Sequence, residues 1–231
     1  LQDVPALVAT VRAANPAALV LMDACQGTGK RAYDLHGLGV DAASIAGHKF
    51  GAPKGVGVLY VRNGQRVDPL VRGGRQQQDR RSGTEDVAAA CALAAALDDA
   101  LAHADSEAER QRGLLARAWS HLARELPACR WLAHDAERLA NTMSLAHPGV
   151  ANEVLVQRLD LAGVAVSTGA ACMAGRGEPS HVIAALGIDD SLARSVIRVS
   201  IGPATRTEAV DTFVASYVRE VRALVAGSVS R

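Results

Sequence analysis

Helical and strand-like hydrophobic patterns alternate along the first part of the chain. Apolar positions recur at helical spacing between residues 4 and 11, and Pro5 lies in the first turn, which predicts a helix over residues 1–14. Residues 17–22 are apolar without interruption, a pattern typical of a buried parallel strand. Further elements are predicted as strands over residues 40–46 and 55–61, a polar loop over 73–85 and a helix over about 84–102.

The rest of the chain shows a second, smaller mixture of strands and helices. Ser106 and Glu109 have the spacing of a capping box and open a predicted helix that ends near Glu125. Strands are predicted near residues 129–133, 141–146, 164–167 and 196–201, and helices near 153–161, 179–186 and 208–226.

These patterns predict an α/β fold with two domains. Residues 1–105 have the pattern of half of a large domain with a mainly parallel sheet, and residues 106–231 that of a small C-terminal α+β domain. The chain starts at Leu1 with a predicted helix and no strand before it. Because a parallel α/β sheet rarely begins in this way, we expect the sequence to be a fragment of a longer chain.

The composition of the chain argues against several classes of protein. The 25 Lys and Arg residues nearly balance the 24 Asp and Glu residues, so no global charge attracts nucleic acid or a membrane surface. No apolar run reaches the roughly 18 residues of a membrane span. The four cysteines are widely spaced without a CxxC pair, which argues against a metal site and against a disulfide framework. We therefore expect a cytoplasmic protein, in a reducing compartment.

The first candidate for chemistry is Lys49. It lies in residues 44–55, where a short apolar strand meets a glycine turn, a His-Lys pair and a second turn rich in Gly and Pro. A lysine presented by rigid backbone on both sides suits Schiff-base formation with a carbonyl cofactor, although an exposed loop lysine remains the alternative. Asp23 follows the strand at residues 17–22, at the sheet edge where α/β ligand sites form, and an N-cap is its alternative role.

Three other features are candidates for binding or catalysis. The polar loop 73–85 offers hydroxyls and backbone N–H groups to a phosphate, or is a solvated surface loop. Cys172 lies in a small-residue loop where a thiol is accessible as a nucleophile. Arg198 interrupts an apolar strand. It either binds a ligand or is an edge-strand residue that faces solvent. The other three cysteines are predicted to pack in the interior: Cys25, Cys91 and Cys129.

Five motifs resemble those of the cysteine desulfurases, pyridoxal-phosphate (PLP) enzymes of the class V aminotransferase group, in the branch that supplies sulfur for iron–sulfur clusters and tRNA thiolation. The resemblance covers nearly all 231 residues and implies PLP fold type I. The matching segments are residues 23–26 (DAxQ), 47–55 (the cofactor-lysine segment), 81–85 (RSGTE), 167–181 (the longer form of the cysteine loop) and 196–200 (the substrate-carboxylate segment).

The resemblance implies how the cofactor is held. Lys49 would form the Schiff base with PLP and later move protons at the substrate Cα. Asp23 would face the pyridine nitrogen and keep it protonated, and Gln26 would hydrogen-bond the ring oxygen. His48 would help to hold the phosphate, and Thr84 would reach the phosphate of the partner subunit, which implies a homodimer.

The resemblance also implies the reaction. Arg198 would bind the substrate carboxylate through a two-point fork, and Cys172 would attack the substrate sulfur. The products would be alanine and a persulfide on Cys172, whose sulfur passes to an acceptor or scaffold protein.

The sequence also departs from the family at two places. Ala46 stands where the family usually has a phosphate-binding serine, so one hydrogen bond to the phosphate is expected to be missing. The family's N-terminal part is absent, so these residues alone are expected to be inactive or to need the missing part.

Two alternatives stay open at this point. One is a related class V PLP enzyme, such as selenocysteine lyase, which the cysteine loop does not exclude. The other is a non-catalytic remnant that binds sulfur-acceptor proteins without a cofactor.

Overall fold

The structure, a computed structural model, describes residues 1–168 and 181–229. Cys172 and most of the cysteine loop lie outside the described residues. The chain divides into two units, Leu1–Ser106 and Glu107–Arg231.

The first unit contains a three-stranded sheet with one parallel and one antiparallel strand pair. Strands β1 and β2 are parallel, whereas β2 and β3 are antiparallel, so only part of this sheet has the predicted parallel arrangement. Residues 47–56 alone connect β2 to β3, which is too short for the crossover that a parallel pair needs. The elements are α1 (Val4–Ala14), β1 (Leu21–Asp23), β2 (Ala42–Ala46), a 3₁₀ turn (Gly47–Lys49), β3 (Gly57–Val61), α2 (Gln76–Asp79) and the first part of α3 (Val87–Glu125).

The prediction of a buried strand over residues 17–22 is wrong in both length and burial. The strand β1 covers three residues, and the side chains of Leu19 and Leu21 are 70% and 68% exposed. The order β1-β2-β3 places β1 at the edge of the sheet, and within the described residues no element shields these two leucines. An uninterrupted apolar run indicates a strand, but burial depends on neighbours that are distant in the chain.

Asp41 connects α1 to the sheet. Its carboxylate accepts hydrogen bonds from the Val20 N–H (2.7 Å) and the Gln65 amide (3.0 Å), and it forms an ion pair with Arg12 on α1. Only 5% of Asp41 is exposed. The Val20 N–H and then Arg12 hold the pKa of this carboxyl below its usual value, against the opposing effect of burial.

Asp41→Ala is expected to lower the free energy of unfolding by roughly 3 kcal/mol at neutral pH, because a partly buried cation and two donors lose their acceptor. Since the folded pKa is depressed, the contribution of Asp41 is complete above the usual pKa of about 3.9 and is lost as the pH falls through the lower folded value. Urea unfolding of the chain between pH 7 and pH 3 measures both effects. The control is Asp68→Ala, which removes an exposed pair with Arg66 and should change little. Equal losses in the two variants would contradict this role for Asp41.

The helix α3 runs from Val87 to Glu125 with a break between Ala102 and Ala104, close to the boundary that the sequence predicted between two helices. The predicted capping box does not form, because the Ser106 hydroxyl donates back to the His103 carbonyl (3.0 Å), as in a helix interior. Among the described helices, no single one is long and apolar enough to cross a membrane; on length and composition only the two parts of this bent helix taken together would pass.

The second unit contains a four-stranded sheet in the order β4-β5-β7-β6, and all of its strand pairs are antiparallel. Most predicted elements are confirmed within a few residues; the predicted strand at 164–167 moves to 167–168, and the short helix at 190–193 was not predicted. The elements are the rest of α3, β4 (Arg130–Leu132), β5 (Thr142–Ala146), α4 (Asn152–Leu161), β6 (Ser167–Thr168), α5 (His181–Ala184), α6 (Asp190–Ala193), β7 (Ile197–Ser200) and α7 (Thr207–Val229).

One face of this second sheet packs against helices to form the core. Alternate residues of β5 and β7 point into it, including Met143 and Ile197, and Tyr217 of α7 is fully buried there. The buried Cys129 thiol lies 3.6 Å from the Tyr217 hydroxyl, and burial raises the pKa of both groups. The packing prediction is thus confirmed for Cys129 but wrong for Cys91, which is exposed on α3.

Candidate functional site

Asp23 and Lys49 lie at one edge of the first unit's sheet. Asp23 is the last residue of β1 and is paired in register with Ser44 of the parallel strand β2. Two residues beyond Ser44, the strand β2 ends and the 3₁₀ turn Gly47–Lys49 begins. Because the two strands are parallel, both segments leave the sheet at their carboxyl ends, where ligand sites of open α/β sheets form.

The carboxylate of Asp23 is exposed and held in its ionised form. Its Oδ1 accepts a hydrogen bond from the Cys25 N–H (2.9 Å), which closes a local turn and caps no helix. This N–H, followed by the Cys25 thiol, lowers the pKa of Asp23. Burial, followed by the same carboxylate, raises the pKa of the Cys25 thiol, which lies 3.6 Å from the Ser44 carbonyl. Asp23 therefore carries the negative charge of this edge, and Cys25 stays a neutral thiol.

The backbone around Lys49 is rigid on both sides, as the sequence indicated. The Gly47 carbonyl accepts hydrogen bonds from the N–H groups of Phe50 and Ala52, both at 3.1 Å, and its N–H donates to the Val56 carbonyl at 3.2 Å. A Cβ on Gly47 would lie 3.0 Å from side-chain atoms of both Ala52 and Leu93, so this position favours glycine. The side chains of His48 and Lys49 themselves are exposed. The turn thus presents a lysine amine and an imidazole to whatever binds at this edge.

Gln26 lies in the turn that follows β1, close to the Lys49 segment. Its side chain is exposed, and its carbonyl accepts a hydrogen bond from the Lys30 ammonium (2.9 Å), which also donates to the Lys49 carbonyl (3.3 Å). Gly29 has a φ of +76°, and a Cβ there would overlap the Phe50 side chain. The two segments are therefore in direct contact, and Gln26, His48 and Lys49 belong to one local arrangement.

Sequence reasoning missed Lys30. The residue follows the DAxQ segment by four positions, so its spacing from Gln26 was visible in the sequence. What the sequence could not show is that its ammonium reaches the carbonyl of residue 49, across 19 positions of the chain.

Thr84 lies in the same unit but is not connected to this edge by the described contacts. It is exposed, and no hydrogen bond or ion pair within the described residues links it to Asp23, Gln26 or Lys49. The preceding loop is not entirely irregular, because it contains the short turn α2, in which Gln77 and Gln78 have left-handed backbone angles.

Arg198 belongs to the second unit and stands on an inner strand, so the edge-strand interpretation is wrong. The strand β7 lies between β5 and β6, and Arg198 is opposite Ser144 on one side and Ser167 on the other. Its neighbours Ile197 and Val199 point to the buried face, which places Arg198 on the polar face. Within residues 1–168 and 181–229, its half-buried guanidinium has no hydrogen bond or ion pair. It is therefore free to bind an anion such as a carboxylate.

A pocket of about 380 Å³ in the second unit contains none of the predicted site residues. Its walls are mainly apolar and include Val164, Val166, Ile201 and Phe213. The polar and charged side chains that could bind a charged ligand lie instead at the edge that carries Asp23 and Lys49.

The residues at that edge fit a cofactor with an aldehyde, a pyridine nitrogen and a phosphate. Lys49 supplies an exposed amine on a fixed turn, and Asp23 supplies a carboxylate whose lowered pKa keeps it ionised at neutral pH. His48, the residue before Lys49 in the chain, adds an exposed donor. Ala46 ends β2 without a hydroxyl, so a phosphate ester would have no side-chain donor at that position. No group of three or more His, Cys, Asp or Glu side chains in the described part of the chain could hold a metal ion.

Comparison with known proteins identifies similar chains. The profile of the family described as aminotransferase class-V matches residues 1–213. The cysteine desulfurase of Rhodobacter capsulatus is 40% identical over 203 residues, which cover 87% of this chain and 52% of that relative. The cysteine desulfurase NifS of Azotobacter vinelandii is 36% identical over 204 residues, covering 88% of this chain and 50% of the relative.

The fold also matches solved structures. A structure described as a NifS-like protein superposes with a TM-score of 0.86 at 31% identity, covering 96% of this chain and 57% of that one. The chain therefore spans about half the length of the curated relatives that it matches.

Proposed function

Because the chain belongs to the class V aminotransferase family and has the α/β architecture of PLP fold type I, we propose that it is part of a PLP-dependent cysteine desulfurase. The substrate would be L-cysteine, and the products would be L-alanine and sulfur carried on Cys172. The observation that carries this proposal is the placement of an ionised Asp23 and the exposed amine of Lys49 at one sheet edge. Relatives named as cysteine desulfurases support the same reaction.

Four residues at this edge would hold the cofactor. Lys49 would bind PLP covalently, and Asp23 would pair with the pyridine nitrogen and keep it protonated. Gln26 would hydrogen-bond the ring oxygen, and His48 would contact the phosphate. When bound, PLP supplies an electron sink for the pair released at the substrate Cα. The protein's part is to fix the ring, and Asp23 suits that task because its charge is already stabilised by the Cys25 N–H.

Arg198 and Cys172 would act on the substrate. The guanidinium of Arg198 would bind the substrate carboxylate by two parallel hydrogen bonds and so orient Cα. The Cys172 thiolate would attack the substrate sulfur as the carbon–sulfur bond breaks, and the sulfur would remain on Cys172 as a persulfide. Lys49 would move protons at the substrate Cα, and the three-carbon remainder would leave as alanine.

The partners follow from the same assignment. Thr84 would contact the phosphate of a second copy, so the working enzyme would be a homodimer with shared sites. A sulfur-acceptor or scaffold protein would take the persulfide sulfur for iron–sulfur cluster assembly or tRNA thiolation. We place the protein in the cytoplasm, because its cysteines suit a reducing compartment.

An absorbance spectrum of the purified chain with PLP, before and after L-cysteine, tests the function. We expect the full-length polypeptide to show a visible band that changes on addition of cysteine, and to form equal amounts of alanine and, under a reductant, sulfide. Because the chain spans half of its relatives, the same measurement is made on the full-length polypeptide. Absence of a band in both would contradict the proposal and favour a non-catalytic remnant. Selenocysteine turnover without cysteine turnover would indicate a selenocysteine lyase.

A further inference from the structure

The ammonium group of Lys30 bridges two backbone segments. It lies 2.9 Å from the carbonyl oxygen of Gln26 and 3.3 Å from the carbonyl oxygen of Lys49. The first carbonyl belongs to the turn after β1, and the second belongs to the last residue of the 3₁₀ turn after β2. One cation therefore binds to both of the segments that carry the proposed cofactor-binding residues.

The sheet itself does not hold these segments together at this point. The hydrogen bonds between β1 and β2 extend as far as the Ala24 N–H, which donates to the Ser44 carbonyl at 2.9 Å. Beyond that bond both segments leave the ladder, and Lys49 is five residues past Ser44. Contact continues through Gly29 and Phe50, whose packing leaves no room for a Cβ on the glycine. The hydrogen bonds of Lys30 then connect the Gln26 turn to the Lys49 turn.

Both hydrogen bonds of Lys30 are charge-assisted, and the bond to the Gln26 carbonyl (2.9 Å) is shorter than the bond to the Lys49 carbonyl (3.3 Å). The side chain is partly buried, and this burial, followed by the positive charge of Lys49, lowers its pKa. An ammonium has three donors, and two of those of Lys30 bind carbonyl oxygens. Charge-assisted hydrogen bonds are stronger than neutral ones. The ammonium also leaves Lys49 its own amine, because it binds the Lys49 backbone and not its side chain.

We propose that Lys30 is a positioning residue that fixes the Lys49 turn against the Gln26 turn, and so sets where the Lys49 amine stands relative to Asp23. This inference rests on the proposed function for its catalytic meaning, but the bridge itself is a property of the chain without cofactor. A reacting amine that is displaced by about 1 Å loses rate strongly, because proximity and orientation account for much of catalysis. Lys30 touches neither substrate nor cofactor in this role.

Three variants test the proposal. Lys30→Met removes the donors and keeps the length of the side chain, whereas Lys30→Arg keeps a cation with several donors. Lys54→Met is the matched control, because Lys54 is an exposed lysine in the same loop region. The first measurement is hydrogen exchange of each chain without PLP, followed on peptides that cover residues 45–55 and on peptides from α7.

We expect faster exchange at Phe50 and Ala52 in Lys30→Met, by about tenfold, which is the effect of losing one good hydrogen bond. Exchange in α7 should be unchanged, and Lys54→Met should match the unmodified chain. The second measurement is the rate at which PLP becomes attached to Lys49, trapped with borohydride and located by mass spectrometry. This rate should fall about tenfold or more in Lys30→Met and recover in part in Lys30→Arg.

Unchanged exchange and attachment in Lys30→Met would overturn the proposal. Faster exchange throughout the first unit, with no recovery in Lys30→Arg, would also overturn it, because it would show a general packing role. If Lys30→Met does not fold, Lys30→Leu, which also lacks donors, replaces it under the same criteria. If the unmodified chain and the full-length polypeptide never attach PLP to Lys49, the proposed function fails alone, and the exchange of residues 45–55 still decides the role of Lys30.

Discussion

Lys49→Ala is expected to abolish covalent binding of PLP and to reduce alanine formation by at least roughly 10²–10⁴-fold, the range of a lost proton-transfer group. The variant loses both the amine that binds the cofactor and the group that moves protons at the substrate Cα. Its fold should be intact, because the Lys49 side chain is exposed and the turn is held by backbone hydrogen bonds to Gly47.

The measurement combines mass spectrometry after borohydride reduction with assay of alanine. Lys54→Ala is the control, since it removes another exposed lysine five residues away and should leave both readouts unchanged. Adding methylamine to Lys49→Ala should not restore the covalent link to the chain. PLP attached to a different lysine in the unmodified chain would contradict the assignment of Lys49.

Cys172→Ala should stop sulfur transfer while leaving PLP binding and the spectral change with L-cysteine intact. A methyl group cannot attack the substrate sulfur, and a thiolate is the nucleophile that this step needs. The expected loss is complete within the detection limit of sulfide and alanine assays, in contrast to the near-normal cofactor spectrum. This separation of binding from turnover is the specific mark of a nucleophile that is not part of the cofactor site.

Cys91→Ala serves as the matched control, because Cys91 is an exposed thiol on α3 and has no proposed role. It should turn over cysteine normally and carry its persulfide on Cys172. Trapping of the persulfide with an alkylating reagent, followed by peptide mapping, should place the extra sulfur on Cys172. Normal alanine production in Cys172→Ala would show that this cysteine is not the acceptor of the substrate sulfur.

Local patterns predicted the elements of the second unit well. The alternation of apolar residues in β5 and β7 is visible in the sequence, and it marks both the buried face and the polar face on which Arg198 stands. The motif around Lys49 predicted a lysine on a rigid turn, because Gly47 and Gly51 are local determinants of that turn. The sequence could therefore predict where a candidate site residue lies along the chain and what backbone supports it.

Local sequence patterns could not predict contacts between distant parts of the chain. The exposure of Leu19 and Leu21 depends on β1 being an edge strand, and sheet order is not encoded in a single apolar run. The bridge from Lys30 to the Lys49 carbonyl depends on two turns meeting after separate strands. Ser106 had the spacing of a cap, but the helical preference of its alanine-rich surroundings continued through it, as the hydrogen bond to His103 shows.

The Cys129–Tyr217 contact has a consequence for the movement of sulfur. Sulfur passes between cysteines when a thiolate attacks a persulfide, so a thiol joins that exchange only to the extent that it ionises and can be reached. Cys129 fails on both counts, since it is buried and burial raises its pKa. In a protein proposed to release sulfur to a partner, we therefore expect no transfer of persulfide sulfur to Cys129, although this cysteine lies in the core of the second unit.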